Sequence, residues 1–194
     1  MMSKVIKVEE IPIEVEDELL TMVEEAEIKG GIDEHESKLI RSAIEFNDLD
    51  ADQILTSRVD MISIPKETTM EDVRKVFKEN KFSRIPVYEN NIDNIIGVIH
   101  EKDFYDELDE KKENIDSIIK PILYVTSNTK ISELLKKFQY IKNHMAVVID
   151  EFGGTMGIIT LEDVLEELVG EIWDEHDEVV EYFKKLDERK YNVI

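Results

Sequence analysis

The run Gly157-Ile158-Ile159-Thr160-Leu161-Glu162-Asp163 sets a hydroxyl and a carboxylate three residues apart, where an apolar strand gives way to an acidic amphipathic helix. A carboxylate there can accept two hydrogen bonds from a ribose diol, and the hydroxyl can bond a sugar or phosphate oxygen. The helix N-terminus adds free N–H groups and the positive end of the helix dipole, both of which favour anions. Thr160 and Asp163 also fit a capping box, in which the two side chains satisfy orphan backbone amides. The tetrapeptide alone favours the cap.

A related set lies upstream, in His100-Glu101-Lys102-Asp103. The carboxylate persists as Asp103, but an imidazole stands in place of the hydroxyl. Imidazole can bond a sugar, yet it is larger and caps a helix less well. The two sites should therefore differ, with Asp103 the weaker contributor. His100 by itself reads as a structural or interface histidine. In Phe82-Ser83-Arg84-Ile85-Pro86-Val87, Arg84 offers a planar guanidinium suited to phosphate oxygens, or an ordinary ion pair on a surface rich in carboxylates. The corresponding segment downstream, Asn143-His144-Met145-Ala146, has no arginine. One arginine suits one phosphorylated ligand better than two equal sites.

Several chemistries are excluded. There is no GxxxxGK[ST] or GxGxxG phosphate loop, no calcium-loop pattern, and the histidines 35, 100, 144 and 176 lack HExxH spacing. The absence of cysteine removes disulfides, thiol nucleophiles and zinc–thiolate sites. No nucleophile–base set can be argued, so an enzyme is not expected. With 46 acidic against 24 basic residues and a formal net charge of −22, the chain lacks the clustered cations that nucleic acid or an anionic membrane surface requires. That balance suits metal cations, basic partners or solubility. No apolar run approaches the length of a membrane span, and no signal-peptide pattern opens the chain.

The elements that must position these residues repeat. A strand at Met61, Ile62 and Ile64, closed by Pro65, precedes a helix from about Thr69 to Asn80, marked by Val73, Val76 and Phe77. Strands at Ile85–Tyr88 and Ile95–Ile99, joined by an Asn90-Asn91 turn, and a helix from Glu101 to Leu108 complete the first copy. The second copy has a strand at Ile122–Val125, then a helix lined by Ile131, Leu134, Leu135 and Phe138. Strands at Met145–Ile149 and Met156–Ile159 flank a Gly153-Gly154 turn, and a helix runs from Leu161 to Ile172. Gly97 falls on Gly157 and Asp103 on Asp163, sixty residues apart. The fold class is α+β, with two pseudo-symmetric β-α-β-β-α repeats that bury their sheets against their helices and each other.

The repeats occupy residues 54–113 and 114–173. Residues 1–53 form an arm and a helical leader: a helix over Asp17–Ile28 ended by Gly30-Gly31, and a second opened by the Asp33/Glu36 capping box. Residues 174–194 are an acidic linker, whose Glu175, Asp177 and Glu178 could hold Mg²⁺ or form a solvated face. They end in Lys190–Ile194, which looks like the first strand of a further domain cut from a longer protein.

The duplicated unit resembles a tandem pair of CBS domains, and DEFGGTMGIITLEDVLEELVGEI is similar to the second CBS domain of the CorC/HlyC/CNNM group, linked to magnesium and cobalt transport. SRIPVYE, HEKDF, IDEHESKLI and ILTSRVDM match the same group over roughly residues 17–194, with Ser57 departing where the group usually has proline. The resemblance implies an adenine-nucleotide ligand, ATP with Mg²⁺, or AMP or ADP. Thr160 and Asp163 would hold its ribose and phosphates, with Asp103 the variant in the first copy. Arg84 would touch the phosphates; Phe82, Ser83, Ile85 and Ile62 would help line the cleft. It further implies a non-catalytic regulatory module that forms a homodimer. The module would lie on the cytoplasmic side of the cell membrane, attached to a transmembrane domain of the same protein. Rival expectations are a ligand-free dimerisation module and a direct Mg²⁺ sensor on the acidic segment.

Overall fold

The computed structural model describes residues 13–109, 114–170, 183–187 and 190–193. Two leader helices, α1 (Ile13–Ile28) and α2 (Glu34–Glu45), pack against each other. α1 ends at Gly30, whose φ of 72° takes the left-handed turn a side chain would resist. α2 opens on the expected capping box: the Glu36 amide donates to Asp33 Oδ1 at 2.8 Å, and the Asp33 amide to Glu36 Oε2 at 2.9 Å. A single helical turn, α3 (Ala51–Ile54), and a two-residue strand, β1 (Thr56–Ser57), lead into the repeats.

The first copy consists of β2 (Ile64–Pro65), α4 (Met70–Asn80), β3 (Arg84–Tyr88), β4 (Ile95–His100) and α5 (Glu101–Asp109). The second consists of β5 (Leu123–Thr126), α6 (Ile131–Ile141), β6 (Met145–Ile149), β7 (Thr155–Thr160) and α7 (Leu161–Val169). In each, the first strand runs parallel to the second through a helical crossover, and the second and third form an antiparallel hairpin. The registers correspond: Arg84 pairs with His100 as Met145 pairs with Thr160. A bulge follows Val87 and, in the same place, Val148.

Neither copy is closed on itself. β1, which leads the first copy, pairs antiparallel with β7 of the second, giving sheets ordered β2-β3-β4 and β1-β7-β6-β5. Reciprocally, Lys120, ahead of β5, bridges to Val98 on β4, each amide donating to the other's carbonyl at 2.9 Å. These crossings explain the paired glycines. A Cβ at Gly157 would stand 2.1 Å from the Thr56 carbonyl oxygen, and one at Gly97 2.4 Å from that of Lys120.

Strand alternation divides the interior into three cores. Ile85, Val87 and Ile99 face α4 and α5 with Val73, Phe77 and Phe104, whose rings (Phe77 and Phe104) lie 5.4 Å apart. Ala146, Val148 and Ile159 face α6 and α7 with Leu134, Phe138 and Val164. The intervening residues, among them Val98, Met145, Val147 and Ile158, form the seam between the copies with Met61 and Ile122. α2 also packs against α7, and Phe46, at its end, is buried in the second copy's core.

The structure departs from the expected first strand. Only Ile64 and Pro65 pair with β3, opposite Val87 and Tyr88. The amides of Asp60 and Met61 instead donate to Ser57 O at 2.9 and 3.0 Å, closing a local turn that leaves Met61 and Ile62 outside the ladder. β9 (Lys190–Val193) coincides with the expected terminal strand, but it pairs antiparallel with β8 (Phe183–Asp187), which the sequence reading did not anticipate. The acidic residues Glu175, Asp177 and Glu178 lie outside the described residues. No described helix is long and apolar enough to cross a membrane.

Candidate functional site

A cleft of about 380 Å³ opens between the two copies, within the size range of small-molecule sites. Its apolar lining includes Pro86 from β3, Met145 from β6, Ile158 from β7 and Met61 from the turn ahead of β2. The chain alternation that buries Ile159 beneath α7 turns Ile158 to this seam. Ile62 and Phe82 line the cleft as well and keep 37% and 45% of their surface exposed, leaving apolar area for a flat ring to cover.

Two polar edges face each other. One is the start of α7, where Thr160, Glu162 and Asp163 line the cleft. The capping box is fully formed. Asp163 Oδ2 accepts from the Thr160 amide at 2.7 Å and from its hydroxyl at 2.8 Å, and the Asp163 amide donates to Thr160 Oγ1 at 3.3 Å. The carboxylate is thus held in one orientation by a single oxygen. Asp163 Oδ1 takes part in no hydrogen bond among the described residues. The other edge is the segment from the end of α4 into β3: Lys81, Ser83 and Arg84. Arg84 lies 4.0 Å from Glu162 across the cleft, at the outer limit of an ion pair. Thr56 and Asp60 complete the lining from the crossing segment.

Of the residues singled out in the sequence, the structure brings together Thr160, Asp163, Arg84, Phe82, Ser83 and Ile62. It places two elsewhere. Ile85 is fully buried beneath α4 and α5, because its neighbour Pro86 takes the cleft face and alternation sends Ile85 to the opposite one. Asp103 sits at the start of α5, 2.6 Å from Lys120 and 3.8 Å from His100. Burial, followed by the charges of Lys120 and Arg84, holds the His100 imidazole below its usual pKa, so it is neutral at pH 7. Among the lining residues the sequence reading missed, Pro86 carried a signal in its period-two spacing from Arg84. Thr56 and Asp60 carried none, since they arrive through a strand pairing between copies. Among the described residues there is no group of three or more His, Asp or Glu side chains that could hold a metal ion. Asp60, Glu162 and Asp163 are the carboxylates of the cleft lining.

The CBS-domain family model matches residues 51–110 and 114–170. A solved structure of the CBS domain of the bacterial CNNM/CorC family Mg²⁺ transporter is 42% identical, with a TM-score of 0.75, over 81% of this chain and 98% of that one. This chain is a tandem CBS-domain pair of the CNNM/CorC family. Another structure, of the CBS domain of such a transporter in complex with ATP, is 44% identical over 71% of this chain and 99% of that chain, with a TM-score of 0.67. Hemolysin C of Brachyspira hyodysenteriae is 39% identical over 84% of this chain and 61% of its own length. The chloroplastic DUF21 domain-containing protein At1g55930 of Arabidopsis thaliana is 39% identical over 90% and 27%, respectively. The chain therefore spans from about a quarter to three fifths of the length of these two relatives.

Proposed function

We propose that this CBS pair is a non-catalytic regulatory module that binds one adenine nucleotide, ATP in preference to AMP or ADP, in the cleft between its copies. The observation that carries the reading is the pairing of Asp163, oriented by Thr160 with one carboxylate oxygen unused, with Arg84 across the same cleft. The ribose diol would bond the free oxygen of Asp163. The base would lie against Ile62 and Phe82, and the phosphates would draw Arg84 away from Glu162. Mg²⁺ bound to the phosphates would offset the carboxylates of Asp60 and Glu162. That such a domain takes ATP in a structure 44% identical to this one supports the choice of ligand.

The module would act as a twofold homodimer on the cytoplasmic side of the membrane. It would be attached to the transmembrane domain of a divalent-cation transporter for Mg²⁺ or Co²⁺. Ligand binding can shift such an assembly only by preferring one arrangement over another. The acidic segment that could serve a direct Mg²⁺ sensor, the other rival, lies outside the described residues. The completed capping box favours the remaining reading, a dimerisation module whose Thr160 and Asp163 serve only the helix. Calorimetric titration with ATP, ADP and AMP, with and without Mg²⁺, separates the two. Saturable binding of about one nucleotide per chain, lost in Thr160→Ala, is expected; no heat at millimolar ligand refutes the nucleotide reading.

A further inference from the structure

We infer that Lys81 is a second phosphate-reading cation of the cleft and sets its preference for a nucleoside triphosphate over a nucleoside. This rests on the nucleotide reading above. Lys81 terminates α4 with φ 56° and ψ 26°, a left-handed conformation that glycine adopts without penalty and lysine does not. The backbone there is fixed by the Lys81 amide donating to Phe77 O at 2.9 Å. The residue so held lines the cleft, three positions before Arg84 and on the same polar edge. Arg84 already faces Glu162 at 4.0 Å, whereas Lys81 forms no ion pair among the described residues. In a chain with 46 acidic and 24 basic residues, that makes it the cleft cation with no carboxylate to give up when a phosphate arrives.

The second copy supplies an internal control. Lys142 ends α6 in the same conformation, with φ 53°, but does not line the cleft. A shared helix-ending role therefore predicts equal effects of removing either lysine, and a phosphate-reading role predicts an effect at Lys81 alone.

The test compares ATP, AMP and adenosine binding by calorimetry in the wild type, Lys81→Gly and Lys142→Gly. Glycine suits the positive φ, so both variants should fold at least as firmly as the parent, which thermal unfolding verifies. Lys81→Gly is expected to weaken ATP about tenfold while adenosine changes by less than about twofold, and Lys142→Gly to alter neither. Equal losses for ATP and adenosine, equal effects of both variants, or an unchanged ATP affinity in Lys81→Gly overturn the assignment while leaving the nucleotide site standing. A wild type that binds none of the three overturns both.

Discussion

The Lys120 ammonium stands 2.6 Å from Asp103 Oδ2, whereas in the sister copy the equivalent carboxylate, Asp163, is held by the Thr160 hydroxyl at 2.8 Å. The difference has two sources: His100 stands in the register position where Thr160 supplies the hydroxyl, and Lys120, which bridges Val98 as Thr56 pairs with Ile158, brings an ammonium to Asp103. Asp103 Oδ2 is shut off from solvent and has no hydrogen bond beyond this charge contact. Both carboxylates engage through Oδ2 alone, but Asp163 lines the cleft and Asp103 does not.

Neutralising the two carboxylates should therefore have unequal results. Asp163→Asn is expected to weaken ATP about tenfold, and Asp103→Asn to leave it within about twofold, as read by titration calorimetry. The pair is partly exposed, with side-chain accessibilities of 49% for Lys120 and 29% for Asp103. Stability in Asp103→Asn should accordingly fall by no more than about 1 kcal/mol in urea denaturation.

The paired glycines give a second contrast. Alanine at Gly157 or Gly97 would drive its methyl into a backbone carbonyl, at 2.1 and 2.4 Å respectively, and a backbone atom cannot rotate away as a side chain would. Each substitution should cost about 3 kcal/mol or separate the copies outright. Gly153→Ala meets nothing within 4 Å and suffers only from its φ of 82°, so it should cost about 1 kcal/mol. Urea midpoints of the three variants check the order.

His100 makes stability depend on pH. Its folded pKa lies below the ordinary histidine value of 6.5, through burial first and then the charges of Lys120 and Arg84. The unfolded chain therefore takes up the proton more readily, so stability rises with pH through this window and falls on acidification below about 6.5. His100→Gln should flatten that part of the profile relative to wild type. Thermal midpoints measured between pH 5 and 8 in both proteins would show it; parallel curves would refute the assignment.

Much of this was legible in the sequence where the code is local. Helix α6 announces itself through Ile131, Leu134 and Phe138, all buried on one face. The turn before β7 announces itself through Gly153, and the α2 capping box through Asp33 and Glu36. Thr160 and Asp163 could be named from their spacing at a strand-to-helix junction and Arg84 from its guanidinium, whereas Phe82 and Ile62 as lining came with the resemblance to the CorC group. What failed was non-local. Met61 looked like strand until its amide was seen to serve Ser57, and Ile85 looked like a lining residue until the register put Pro86 on that face. Thr56 and Asp60 reach the cleft only because β1 crosses to the sister sheet, a pairing no periodicity encodes.

The packing of α2 on α7 has a mechanical meaning. The chain enters through α2 and Phe46, and the described helices end with α7, whose Val164 shares a core with Phe46. The leader is thus fastened to the helix that carries Asp163. A change in the set of α2 would therefore reach the rim of the cleft through that shared core.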